Sequence, residues 1–215
     1  MEQELVNAVL AMDDDIKAKK FVVFIDTQVD FMVEGSALYV AGAEPVISKL
    51  NAFAYHLKPE EVEGVLFTFD THFDETYPTS EEAKQFPIHC VYNTPGWRNV
   101  INPEIINRDI PKYALRKGVF NMWEDVVEIQ QEAIFPHASE PMDRDVFFND
   151  LKAAGITDIV IVGVAADFCV KWAADGFIDR GFNVTVPRSL TAGILRNIDT
   201  VVAEDYAGKN FKVAE

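Results

Sequence analysis

The sequence predicts an α/β fold with three layers, α-β-α, around a mostly parallel central sheet. Short apolar runs rich in β-branched and aromatic residues are typical of strands buried on both faces. Amphipathic helical stretches alternate with these runs, which favours right-handed βαβ units with helices on both faces of the sheet. The 215 residues contain no internal repeat and no linker, so we expect one domain over residues 1–215.

The predicted elements follow one another in a regular order. Apolar residues at three-to-four spacing predict a helix at about 3–18, before a first buried strand at 21–26. We then expect a helix, two strands, a helix, a strand, a helix and a strand, at 45–57, 64–70, 112–118, 146–154, 158–164, 168–180 and 183–187. The stretches 71–107 and 121–144 fit this rhythm poorly, and long irregular segments in compact α/β domains are often lids or binding loops.

Charge and composition exclude several classes of partner. Acidic residues outnumber basic ones 35 to 19, for a net charge of −16, and this field repels nucleic acid and anionic lipid. No apolar run reaches the ~18 residues of a spanning helix, and the N-terminus lacks the pattern of a signal peptide. Two cysteines cannot form a disulfide framework, and we expect a cytoplasmic protein with reduced thiols. From the charge and the lack of a spanning run, we expect it to bind neither nucleic acid nor a membrane.

Residues with useful chemistry stand where the predicted strands end. The first strand ends at Asp26, the second at Asp70 with His72 just beyond it, and the third at Lys117. The next strong strand leads through small residues into Cys169, at the start of a helix. Each residue alone fits an ordinary turn or core position. Because ligands bind at the carboxyl ends of parallel strands, their joint occurrence predicts a functional site.

Cys169 is the candidate nucleophile of this site. A helix N-terminus and a nearby lysine lower the pKa of a thiol, and an adjacent carboxylate can take its proton during attack. The free N–H groups of the helix start can hold an oxyanion. Small residues at Gly163, Ala165 and Ala166 would let a substrate approach the backbone. The other cysteine, Cys90, is interpreted as structural.

A second group of residues has the composition of a catalytic metal site. Asp70 and His72 are two residues apart in an extended segment and therefore project to the same side. His89 arrives from a loop bounded by prolines, which gives three ligands with open positions. Glu81 or Glu82 could add an oxygen ligand. The alternative, histidines on the surface of a loop, is equally supported by spacing alone.

Five short motifs in this order resemble the nicotinamidase branch of the isochorismatase-like cysteine hydrolases, over roughly residues 21–190. They are FIDTQVDF, TFDTH, FPIHCVYNTPG, RKG and GVAADFCV. The resemblance implies that superfamily's fold and a cytoplasmic enzyme of NAD salvage that hydrolyses nicotinamide to nicotinate and ammonia through a cysteine thioester. It implies a catalytic triad of Asp26, Lys117 and Cys169. It also implies an oxyanion hole from the backbone N–H groups of Ala165 and Cys169, with a cis peptide before Ala165.

The resemblance further implies one divalent metal ion, zinc first, with iron or manganese as alternatives. Its ligands would be Asp70, His72 and His89, and in some family members a glutamate at the position of Glu82 also coordinates. Three aromatic residues stand where the family surrounds the pyridine ring, although core packing is an alternative for each: Phe31, Phe86 and Phe120.

Two other functions stay open at this point. Residues 70–73 read D-T-H-F where many relatives have D-W-H-P, and the segment after Lys117 is longer than usual, so another small amide or imide is an alternative substrate. A non-catalytic binding domain is the alternative from another class. Because family members often associate, a homo-oligomer is a further expectation. The absence of G-x-G-x-x-G after a strand, and of G-x-S-x-G, disfavours a dinucleotide-binding domain and a serine hydrolase.

Overall fold

The computed structural model describes residues 19–124, 128–131 and 141–215. The helix predicted at 3–18 and part of the segment 121–144 lie outside these residues. The described strands are β1 (Lys20–Ile25), β2 (Val62–Asp70), β3 (Lys112–Lys117), β4 (Glu128–Gln131), β5 (Met142–Asp143), β6 (Asp158–Val164), β7 (Asn183–Pro187), β8 (Thr191–Ala192) and β9 (Phe211–Ala214). The described helices are α1 (Val29–Met32), α2 (Glu44–Tyr55), α3 (Arg144–Ala153), α4 (Cys169–Asp179) and α5 (Ile198–Asp205).

The strands form one sheet in the order β5-β4-β3-β2-β1-β6-β7-β9. The short β8 pairs with the carboxyl end of β6, past the residues of β6 that pair with β7. Neighbours from β3 through β9 run parallel to one another. The strands β4 and β5 join antiparallel at one edge. The carboxyl ends of β1, β2, β3 and β6 therefore meet at one edge of the sheet, and the predicted mostly parallel sheet is confirmed.

Side chains of β1 alternate between two apolar layers, as the pleat of a strand requires. Val22 and Phe24 pack in the layer that contains α2. Phe21, Val23 and Ile25 point the other way, into the layer that contains α3, α4 and α5. Every residue from 21 to 25 is almost fully buried, which explains the continuous apolar run in the sequence. The predicted three-layer arrangement is confirmed.

The elements that sequence reasoning missed are short or lie beyond its last predicted strand. The strands β4, β5, β8 and β9 have two to four residues, too few for a pattern to be distinctive. The helix α5 did carry a signal, because Asn197 precedes it and its side chain accepts the Thr200 N–H as an N-cap. In the described part of the chain, no helix combines the length and apolar character needed to cross a membrane.

Gly163 fixes how closely β6 approaches β1 beside the site. It has a φ of +108° and pairs with Ile25, and a Cβ at this position would lie 2.1 Å from the Ile25 carbonyl oxygen. The neighbouring strand, and not an approaching substrate, therefore requires glycine here. This corrects the role that the sequence suggested for Gly163.

We expect Gly163→Ala to lower the free energy of unfolding by about 3 kcal/mol or more, because overpacking against backbone adds to strain at positive φ. Gly155→Ala is the matched control, since Gly155 has a φ of +89° with no heavy atom within 4 Å of the added Cβ. It should cost only about 1–2 kcal/mol of strain. Urea unfolding of both variants measures the difference, and equal losses would contradict the packing argument.

Candidate active site

Asp26 lies directly after β1 and is completely buried. Its φ of +45° is in the left-handed region, which is uncommon outside glycine and is better tolerated by aspartate than by most residues. Thr68 on β2 holds it there: the Thr68 hydroxyl accepts the Asp26 N–H at 3.0 Å and donates to Asp26 Oδ1 at 2.6 Å. The second carboxylate oxygen, Oδ2, is thereby left to face the other charged groups of the site.

Lys117 connects two carboxylates that come from different strands. Its Nζ lies 2.9 Å from Asp26 Oδ2 and 3.4 Å from Asp70 Oδ1. Asp70 is also its partner in the pairing of β2 with β3. Burial disfavours the ammonium, but attraction to both carboxylates outweighs burial and raises the pKa of Lys117 well above its usual value. The lysine is therefore charged despite being buried.

Cys169 lies close to the ion pair that Lys117 and Asp26 form. Lys117 Nζ donates to the Cys169 Sγ at 3.7 Å, and the Asp26 carboxylate interacts electrostatically with the same thiol. Burial raises the pKa of the thiol well above the ordinary value; Lys117 opposes this effect and Asp26 reinforces it. The sequence suggested a lowered pKa from the helix start and the lysine. The structure gives the opposite direction because the site is dry and holds two carboxylates.

The start of α4 leaves backbone donors next to the thiol. The residue that precedes the helix, Phe168, offers no side-chain cap, and the first N–H groups of any helix lack partners within it. The Ala165 carbonyl accepts the N–H groups of Phe168 and Val170, so the loop wraps closely around Cys169. The peptide bond between Val164 and Ala165 is cis, as the resemblance implied.

Four buried side chains form a compact cluster beside Lys117: Asp70, His72, Glu82 and His89. One ligand atom from each lies within 4.8 Å of all the others. Asp70 Oδ2 is 3.2 Å from His72 Nε2 and 3.1 Å from His89 Nε2, and Glu82 Oε1 is 3.2 Å from His89 Nε2. Glu81 is different, because its side chain is 86% exposed and pairs with Lys84. Of the two glutamates that the sequence left open, the structure brings only Glu82 into the cluster.

The cluster has the charge and donor set for a divalent metal ion. Neither carboxylate oxygen of Glu82 has a hydrogen-bond partner, although both are buried. The contact of His89 Nδ1 with the Pro87 carbonyl, at 2.8 Å, places a proton on Nδ1 and directs Nε2 to the cluster. Two imidazoles and two carboxylates suit zinc, iron or manganese. Burial opposes the imidazolium, but Asp70 and Glu82 raise the pKa of His89 to about 10.

An apolar cleft opens beside Cys169. The three predicted aromatic residues all line it, with seven others: Phe31, Phe86 and Phe120, then Leu38, Val40, Val164, Ala165, Phe168, Cys169 and Ile194. The Phe31 ring also contacts the cluster, with its centroid 5.2 Å from that of His89. Phe31 therefore lies both in the lining of the cleft, which includes the thiol, and against the cluster.

Sequence reasoning missed two residues that hold this arrangement together. Gln28 is completely buried and brackets the Asp70 backbone: Oε1 accepts the Asp70 N–H at 2.8 Å and Nε2 donates to its carbonyl at 2.9 Å. Thr68 was the other. Both left a signal in the sequence, because each is an uncharged polar residue within or next to a buried apolar strand, where its side chain needs a partner.

Comparisons with known proteins agree with this fold. The isochorismatase domain family matches residues 143–203. A nicotinamidase/pyrazinamidase of Mycobacterium tuberculosis is 27% identical over 187 residues, which are 85% of this chain and 90% of that protein.

Two solved structures share the fold. The pyrazinamidase of Pyrococcus horikoshii in complex with zinc superimposes with a TM-score of 0.66 at 23% identity, over 91% of this chain and 98% of that one. The protein PnC1 from L. infantum in complex with nicotinate also gives 0.66 at 23% identity, over 92% of each chain. The chain is therefore similar to the isochorismatase domain family over residues 143–203 and to a nicotinamidase/pyrazinamidase over most of its length, and it shares the fold of the two solved structures.

Proposed function

We propose that this protein is a metal-dependent nicotinamidase, which hydrolyses nicotinamide to nicotinate and ammonia. The observation that carries the proposal is the juxtaposition of Asp26, Lys117 and Cys169 beside a cleft that aromatic and other apolar side chains line. The similarity to a nicotinamidase/pyrazinamidase along most of the chain supports the choice of substrate. The substrate is a small molecule, and neither the cytoplasmic location nor self-association is needed for this proposal; both stay predictions.

Asp26 is the general base and Cys169 the nucleophile. Because the resting thiol holds its proton, Asp26 takes that proton as the sulfur attacks the carboxamide carbon. The N–H groups of Ala165 and Cys169 hold the oxygen as it becomes negative. Asp26 then returns the proton to the departing ammonia, which leaves a thioester on Cys169. Water attacks this thioester as Asp26 takes its proton, the C–S bond breaks and the sulfur takes that proton back from Asp26. The acid that leaves gives its own proton to the solvent and becomes nicotinate.

Lys117 pairs with Asp26 before the attack, because its ammonium lies 2.9 Å from the carboxylate. It also stabilises negative charge on the sulfur, 3.7 Å away, while the proton is on Asp26. Both roles need a lysine that remains charged, which the two neighbouring carboxylates ensure.

Asp70, His72, His89 and Glu82 would hold the metal ion, and we propose zinc, with iron or manganese as alternatives for the same donor set. When bound, the ion would act as a Lewis acid that binds the pyridine nitrogen and orients the ring. Gln28 positions Asp70 through its backbone, and Pro87 orients His89 through Nδ1. Phe31, Phe86 and Phe120 would surround the ring by apolar contact.

Cys169→Ala should lower kcat for ammonia release from nicotinamide by more than about 10³-fold, because no other nucleophile lines the cleft in the described part of the chain. Cys90→Ala is the matched control. Cys90 is also a buried thiol, but it packs in the core and lies outside the cleft lining, so kcat should stay within about tenfold. Retention of activity in Cys169→Ala would contradict the nucleophile, and no ammonia from the parent protein would favour a binding domain.

Glu82→Gln should weaken binding of Zn²⁺ by about 10–100-fold, since it removes a buried charged oxygen donor from the cluster. Glu81→Gln changes the neighbouring glutamate, which is exposed, and should leave the affinity unchanged. Competition with a chromophoric chelator measures both. Equal affinities in the two variants would exclude Glu82 as a ligand.

Benzamide tests whether the pyridine nitrogen is recognised. It has the size and carboxamide of nicotinamide but lacks the ring nitrogen, so its kcat/KM should be at least about 100-fold lower. Removal of the metal with a chelator should lower activity on nicotinamide and have little effect on benzamide. Comparable rates for the two amides would instead favour an amidohydrolase with another substrate.

A further inference from the structure

A buried carboxylate two residues before the nucleophile takes no part in the mechanism above. Asp167 is only 7% exposed, and it accepts three backbone N–H groups from one turn. Its Oδ1 accepts from Ile194 at 2.9 Å, and its Oδ2 accepts from Leu195 at 2.7 Å and from Arg196 at 2.8 Å. Hydrogen bonds to an ionised acceptor are about twice as strong as neutral ones. The turn at 193–196 is therefore built around this carboxylate.

The same turn is tightly folded and tied to the loop that carries Cys169. A Cβ at Gly193 would lie 1.9 Å from the Arg196 carbonyl oxygen and 3.1 Å from Asp167 Oδ1. The Ala166 N–H donates to the Ala192 carbonyl at 2.8 Å, next to the carboxylate. Two successive residues of the nucleophile loop thus hold the turn, one through its backbone and one through its side chain.

The turn contributes one wall of the cleft. Ile194 lines the cleft together with Ala165, Phe168 and Cys169, whereas the next residue, Leu195, is 81% exposed. The turn thus has one side in the cleft and the other in solvent. If the carboxylate did not fix the turn, Ile194 would be free to move away from a bound ring.

We propose that Asp167 is a positioning residue that sets the width of the substrate cleft by holding Ile194 in its wall. The proposal rests on the proposed hydrolysis of a small aromatic amide. Ile194 makes apolar contact with the ring in the ground state and in the transition state alike. Such uniform binding acts on KM and on the fit of ring substituents, not on kcat.

Asp167→Asn is the direct test. Three backbone N–H groups donate to the two carboxylate oxygens of Asp167, whereas an amide side chain has only one oxygen to accept them and adds an NH₂ donor that opposes them. We expect KM for nicotinamide to rise about tenfold with kcat within about threefold. The ratio of kcat/KM for 5-methylnicotinamide to that for nicotinamide should increase, because a loosened wall admits the methyl group. Asp143→Asn is the matched control. Asp143 also accepts backbone N–H groups, those of Asp145 and Val146, but as the N-cap of α3, away from the cleft.

A double-mutant cycle separates this role from a general loss of structure. In an Ile194→Ala background, Asp167→Asn should change KM less than about twofold, because the side chain that it positions is already gone. Gly193→Ala, which forces the turn open and leaves the carboxylate in place, should reproduce the rise in KM, and it serves if Asp167→Asn fails to fold. Three results would overturn the proposal. They are an unchanged KM, a rise in KM that persists fully in the Ile194→Ala background, and a loss of kcat alone.

Limited trypsin digestion gives a readout that does not depend on the activity. Cleavage after Arg196, within the turn, should be faster in Asp167→Asn than in the parent protein and in Asp143→Asn. Equal cleavage would overturn the tether itself. If the parent protein releases no ammonia from nicotinamide, the proposed function fails, and the digestion still decides whether Asp167 holds the turn.

Discussion

One buried ammonium holds the ends of three strands together. Lys117, at the end of β3, lies between the carboxylates of Asp26 and Asp70, at the ends of β1 and β2. Without the ammonium, two negative charges close together in a dry interior would be strongly unfavourable. Removing the ammonium would leave two buried carboxylates without compensation, which is costly. The arrangement of the strand ends, and with it the approach of Cys169, depends on this set of charges.

The charge balance of the whole site explains why a group of side chains suited to a metal ion lies beside Asp26, Lys117 and Cys169. Three buried carboxylates, those of Asp26, Asp70 and Glu82, face a single buried ammonium, which leaves an excess of two negative charges. A divalent ion cancels this excess. The carboxylates of Asp70 and Glu82 also raise the pKa of His72 and that of His89 against the effect of burial. A strongly acidic chain can therefore contain a site that is neutral overall when a metal is bound.

The sequence predicted the layers, the main strands and the position of the site, because all three follow from local patterns. A buried apolar run identifies a strand of a parallel sheet, and the residue after it lies at the edge where ligands bind. Asp26, Asp70, Lys117 and Cys169 could be found in this way. The direction of the Cys169 pKa could not, because it depends on burial and on carboxylates from strands that are distant in sequence. For the same reason, the sequence indicates that Gln28 needs a partner but not that this partner is Asp70, and the turn held by Asp167 was not predictable.

The raised pKa of the thiol fits the proposed chemistry better than a free thiolate would. Before attack, the triad contains a neutral thiol, a carboxylate and an ammonium, and after proton transfer it contains a thiolate, a carboxylic acid and the same ammonium. The net charge is zero in both states, so the proton moves without creating a new uncompensated charge in a dry site. Lys117 lies 2.9 Å from the carboxylate and 3.7 Å from the sulfur, and it therefore stabilises the negative charge at either position. The thiol stays protonated until a carbonyl carbon accepts the sulfur, which protects it from other electrophiles.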